Sequence, residues 1–180
     1  MCDNDENAVI IDNGSGYIKA GISKEDMPNF VISSVVGIPK YGAMVGQDYK
    51  ELYIGDEAMN KRGYLTLTNP VQKGIIVDHY YMEKVWEYLY YNCFRIEPSE
   101  KPVHLTETPK NPAFNREKMA EFFFENFSVP AFYVSTQAVL SLYGTVRVLG
   151  VVYDSGAGIT NFVPVFDGFS LKHAMVSTFI

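Results

Sequence analysis

Two short stretches of this chain place aspartate, glycine and small polar residues at spacings that suit phosphate chemistry. The first is Asp12-Asn13-Gly14-Ser15-Gly16, with Lys19 three residues on. The second is Asp154-Ser155-Gly156-Ala157-Gly158-Ile159-Thr160. Each follows an apolar run and precedes another, so each reads as the tip of a strand-turn-strand hairpin. Glycines at such a tip let successive N–H groups point inward and form a nest for phosphate oxygens. An aspartate at the strand end can hold a hydrated Mg²⁺, and Lys19 supplies a point charge. One Asp-x-Gly-x-Gly turn is also what any hairpin tip looks like, because Asp and Gly are turn residues. Two copies, with a lysine after the first, point to two lobes clasping one ligand. The chain has no Gly-x-x-x-x-Gly-Lys-Ser/Thr loop and no Gly-x-Gly-x-x-Gly, the signatures of P-loop and dinucleotide-binding sites.

The elements that must position these turns follow from the hydropathy pattern. Ala8 to Ile11 and Tyr17 to Ile22 read as strands, with Phe30 to Ile32 a third. Residues 33–69 are rich in Gly, Pro and Tyr, and read as a loop-rich inserted subdomain. Asp78 is placed to cap a helix running to about Phe94, whose buried stripe is Met82, Val85, Trp86, Leu89 and Cys93. Val103 to Thr106 reads as strand, and Asn115 is expected to cap a helix carrying Phe122, Phe123 and Phe124. Ala131 to Val134 is a further strand, with Ser135 or Thr136 capping a short helix from Gln137 that ends near Gly144. The order predicts an α/β layer structure. Residues 1–32 and 70–147 form the first lobe in this reading. Residues 148–180 form the opening β-hairpin of a second, incomplete lobe.

Composition limits the function classes. Of 180 residues, 47% are hydrophobic and 20% charged, the balance of a folded domain. Thirteen Tyr and twelve Phe stand against a single Trp, so a sizeable core is expected. A net charge of −6 with no basic block argues against nucleic acid as a partner. Cys2 and Cys93 form no disulfide framework and no metal site. The acidic start Met1-Cys2-Asp3-Asn4-Asp5-Glu6 is unlike a signal peptide, and no apolar run has membrane-helix length. The expectation is an intracellular, cytoplasmic protein without a membrane partner.

The residues also resemble a family. Asp12-Asn13-Gly14-Ser15-Gly16-Tyr17-Ile18-Lys19-Ala20-Gly21 looks like the first phosphate-binding hairpin of actin. Tyr53-Ile54-Gly55-Asp56-Glu57-Ala58, Lys61-Arg62-Gly63 and Leu105-Thr106-Glu107-Thr108-Pro109 are as close. So are Asn115-Arg116-Glu117-Lys118-Met119, Val129-Pro130-Ala131 and Gln137-Ala138-Val139-Leu140-Ser141-Leu142-Tyr143. The resemblance covers nearly the whole chain. It implies ribonuclease-H-like lobes with Mg-ATP in the cleft between them, and slow hydrolysis linked to filament assembly. It also implies a cytoskeletal location, with actin-like subunits and actin-binding proteins as partners.

By resemblance, Gly14, Ser15, Gly16 and Lys19 face the phosphates from one side, and Gly156, Ala157, Gly158 and Ile159 from the other. Asp12 and Asp154 hold the magnesium ion through water, and Gln137 orients the attacking water. The chain departs from the family at Ala157, where actins carry Asp, and at Asn161, where they carry the His that partners Gln137. An ATPase no more than weak is expected from these changes. Lys73 replaces the family's modified histidine, and the subunit-contacting loop at Lys40 to Lys50 diverges in its second half. The pattern is that of the first half of an actin, so the alternative expectation is a non-polymerising fragment that binds actin or its binding proteins. An unrelated enzyme on such a fold, a nuclease or sugar kinase, would need further carboxylates near Asp12 or a sugar site.

Overall fold

The computed structural model describes residues 7–40 and 50–179. The first three strands, β1 (Val9–Asn13), β2 (Tyr17–Ile22) and β3 (Phe30–Ser33), form an antiparallel meander. Val9 and Ile11 on β1, and Ile18 and Ala20 on β2, are buried on one face, as a period of two requires.

In the stretch that turn signals mark as loop-rich, the described residues hold a small sheet. Its strands are β4 (Val36–Pro39), β5 (Tyr53–Ile54) and β6 (Leu65–Thr68), ordered β5-β4-β6, with the short helix α1 (Asp56–Asn60) beside them. Val35, Tyr53, Ala58 and Leu65 make its own cluster. Of the divergent stretch at residues 47–52, the first three lie outside the described residues.

A two-stranded turn of β7 (Val71–Gln72) and β8 (Ile75–Ile76) then leads into helix α2 (His79–Tyr88). Asp78 caps α2 as its sequence position predicts, its carboxylate accepting from the Tyr81 N–H at 3.1 Å. The helix continues as a π-helical turn over Leu89–Phe94. Met82, Val85, Trp86 and Leu89 are all buried, and Cys93 packs against them partly exposed.

Strand β9 (Val103–Glu107) pairs parallel to β1. Helix α3 (Ala113–Glu121) follows, and strand β10 (Phe132–Thr136) pairs parallel to β9. The five-stranded sheet is thus ordered β10-β9-β1-β2-β3. Asn115 does not cap α3, which begins two residues earlier after Pro112. It lies inside the helix, buried, and its amide donates to the Ile76 carbonyl at 3.1 Å. A buried polar side chain needs such a partner, and here the bond fastens α3 to β8. Phe122 and Phe123 enter the core against Trp86, with ring centroids at 5.3 and 4.9 Å, whereas Phe124 is exposed.

Helix α4 (Gln137–Tyr143) starts directly after β10. The remaining strands are β11 (Gly150–Ser155), β12 (Thr160–Phe166), β13 (Phe169–Ser170) and β14 (Val176–Thr178). The expected hairpin is β11–β12, and both β13 and β14 add to the far edge of β12, making four strands. Val163, Val165 and Met175 pack with Ala138 and Leu142 of α4. The opposite face carries Val151, Tyr153, Phe162 and Phe166, all exposed. No helix among the described residues is long and apolar enough to cross a membrane.

Candidate functional site

The two glycine turns are distant in the chain and adjacent in space. The first leaves β1 at Asn13 and returns into β2 at Tyr17. Its glycines are needed where the backbone is crowded. A Cβ on Gly14 would collide with the Tyr17 carbonyl oxygen, and one on Gly16 would lie 2.8 Å from the Ala157 Cβ. Ala157 belongs to the second turn, so the two turns touch at that point. The second turn is closed by the Gly156 N–H donating to the Ile159 carbonyl at 3.0 Å, with the Ser155 and Thr160 hydroxyls 2.9 Å apart beneath it.

Between the turns lies a cleft of about 370 Å³. Asp12, Gly14, Ser15, Gly16, Lys19, Gln137, Asp154, Gly156, Ala157, Gly158 and Ile159 all border it, so every residue singled out from the sequence is brought to one place. Asn13, Tyr17, Gly74, Thr108, Ser141, Ser155 and Asn161 complete the lining.

Asp12 is the centre of the polar network. It accepts from the Gln137 side-chain amide at 2.7 Å and from the Thr106 hydroxyl, and the Lys19 ammonium stands 3.8 Å from its other oxygen. Gln137 reaches it because α4 begins one residue after β10, two strands from β1. The lysine is largely solvated, so the Lys19–Asp12 attraction contributes little to stability. Asp154, half-buried opposite, has its carboxyl pushed above the usual carboxylate range. Burial is the main cause and the negative charge of Asp12 adds to it, with Lys19 opposing.

Two features supporting the first turn escaped the sequence reading. The Gly74 N–H, in the β7–β8 turn, donates to the Ser15 hydroxyl at 2.7 Å. Gly74 has φ of +75° next to Lys73 at +54°, and a Cβ on Gly74 would lie 2.8 Å from that of Thr108. The signal available was the glycine itself, which alone tolerates both the angle and the approach. Thr106, the other, lies on β9 within a stretch quoted for its resemblance. Its role depends on the parallel β1–β9 register, which the sequence does not display.

A family model described as Actin matches residues 3–180. The chain belongs to the actin family. Its departures from the actin pattern have structural consequences here. Asn161 is buried, accepts from the Ser177 hydroxyl at 2.8 Å and lies 3.5 Å from the Thr108 hydroxyl. Its amide ties β12 to β14 and to the end of β9. Ala157 closes the gap to Gly16. Lys73 turns its ammonium onto the Phe179 ring, 4.1 Å from the centroid.

A divalent cation fits this actin-family cleft in a particular way. Among the described residues no group of three or more metal-ligand side chains converges. Asp12 and Asp154 are two carboxylates bordering the same cleft, and the charge of Asp12 adds to the burial that raises the Asp154 carboxyl. Such a pair would leave most of a coordination shell to water and phosphate oxygens, an arrangement that suits Mg²⁺.

Proposed function

We propose that this actin-family chain binds Mg-ATP by its triphosphate, in the cleft between the Asp12–Gly16 and Asp154–Ile159 turns. The observation that carries this reading is the meeting of the two turns at Gly16 and Ala157, with Lys19, Asp12 and Asp154 around the same 370 Å³ cleft. Backbone N–H groups of the turns and the Ser15 hydroxyl bind the phosphates, Lys19 balances their charge, and Asp12 and Asp154 hold the Mg²⁺ through water. The ion supplies charge neutralisation to the phosphates.

Hydrolysis is slow in this reading. Gln137 positions a water beside Asp12, but Asn161, held by Ser177 and Thr108, offers no base to receive the proton. The biological role is cytoskeletal, through association with actin-like subunits. The exposed apolar face of Val151, Tyr153, Phe162 and Phe166 favours a second reading, in which the chain binds actin or actin-binding proteins without polymerising.

A thermal melt with and without Mg-ATP tests the nucleotide site. Ligand at about 100 times its dissociation constant adds about 2.7 kcal/mol and raises the midpoint. Lys19→Ala should reduce that shift while leaving the ligand-free melt unchanged. An unshifted wild-type melt at millimolar Mg-ATP would remove the nucleotide from the reading.

A further inference from the structure

We propose that Tyr17 is a ligand-contacting residue of this cleft, its phenol O–H donating to the phosphate chain of the bound molecule. The proposal rests on the reading of the cleft as a phosphate site and adds a residue to it.

The strand geometry sets the side chain apart. β2 is an interior strand, paired with β1 on one side and β3 on the other. Its residues alternate between faces. Ile18 and Ala20 are buried in the core, and Tyr17 and Lys19 share the other face. Tyr17, the first residue of β2 after the glycine turn, is 60% exposed there. Both residues border the cleft, and Tyr17 follows directly on Gly16, where the two glycine turns make contact.

The side chain also lacks an internal role. Among the described residues no other ring packs against Tyr17 and its hydroxyl makes no hydrogen bond. It is the one aromatic among the described residues that line the cleft. A phenol offers a rigid ring with a donor at its tip. That donor matches an acceptor-only ligand such as a phosphate chain, and a hydrogen bond to a charged oxygen is among the stronger kinds. The sharing of one strand face with Lys19 places this donor at the phosphate end of the ligand and not at its nucleoside.

The experiment is a calorimetric titration of the full chain, wild type and Tyr17→Phe, with Mg-ATP and separately with Mg-tripolyphosphate. Tyr17→Phe keeps the ring and removes only a hydroxyl without a protein partner, so its ligand-free melt should match wild type. The expected result is a loss of about tenfold in affinity for both ligands, the size of one charge-assisted hydrogen bond. Unchanged affinity for both would overturn the proposal and leave the phosphate site standing. A loss confined to Mg-ATP would also overturn it, by placing the ring against the nucleoside. Failure of the wild-type chain to bind either ligand would overturn the reading of the cleft and this proposal together.

Discussion

The indole N–H of Trp86 donates to the side-chain oxygen of Asn13 across 3.2 Å, inside the core. Asn13 is the last residue of β1 and only 5% exposed, so the chain's one tryptophan braces the strand end from which the first glycine turn departs. The Asn13 amide nitrogen has no partner among the described residues. This bond to Trp86 is therefore the main polar anchor of that side chain.

Trp86→Phe keeps most of the ring volume and leaves the buried Asn13 oxygen without its donor. The expected cost is about 1–3 kcal/mol in urea unfolding. Because the lost bond sits under the turn, Mg-ATP affinity should fall as well. A variant of similar cost away from the turn, Phe127→Leu, should spare binding. Equal binding losses in the two would show that Trp86 acts through global stability alone.

Asp154 gives a pH dependence whose sign is set by its raised carboxyl. The unfolded value is near 3.9 and the folded value lies above it, so the folded chain holds more protons in between. The stabilisation this group contributes is complete below the unfolded value and is lost as pH rises through the folded one. Asp154→Asn should therefore raise the ligand-free melting midpoint at pH 7 relative to wild type, and the difference should vanish toward pH 3. The same variant should lose the extra stabilisation that Mg²⁺ adds to ATP binding. A lowered midpoint at neutral pH would contradict the burial and repulsion assigned to this carboxyl.

His104 works in the opposite direction. Burial lowers its pKa below the usual imidazole range, and Nε2 shares a 2.8 Å hydrogen bond with the Ser135 hydroxyl between β9 and β10. The stability it contributes is present above the unfolded value near 6.5 and is lost as pH falls toward the folded value. Melts between pH 8 and 5 should show this loss, and His104→Leu should flatten the curve in that window. An unchanged slope in His104→Leu would assign the acid limb to other groups.

Much of the local structure could be read directly. Asp78 and the Met82, Val85, Trp86, Leu89 stripe announced α2, because capping and a period of 3.6 are properties of consecutive residues. The reading failed where long-range packing overrode local preference. Asn115 has the chemistry of a cap, yet the carbonyl of Ile76, far back in the chain, holds it inside α3. Residues 148–180 read as one opening hairpin, and β13 and β14 go beyond it because strands of two and three residues carry too short a pattern to register.

The sequence by itself determined the actin-family membership, the two glycine turns and the residue types within them, because those depend on identity and spacing along the chain. Only the tertiary structure decided that Ala157 meets Gly16, that Gly74 from a third segment holds Ser15, and that Gln137 and Thr106 converge on Asp12. These contacts are set by the parallel register of β9 and β10 beside β1 and by the packing of the β11–β12 sheet on α4. Register and packing join residues across long stretches of chain, and no local pattern encodes which oxygen will face which nitrogen.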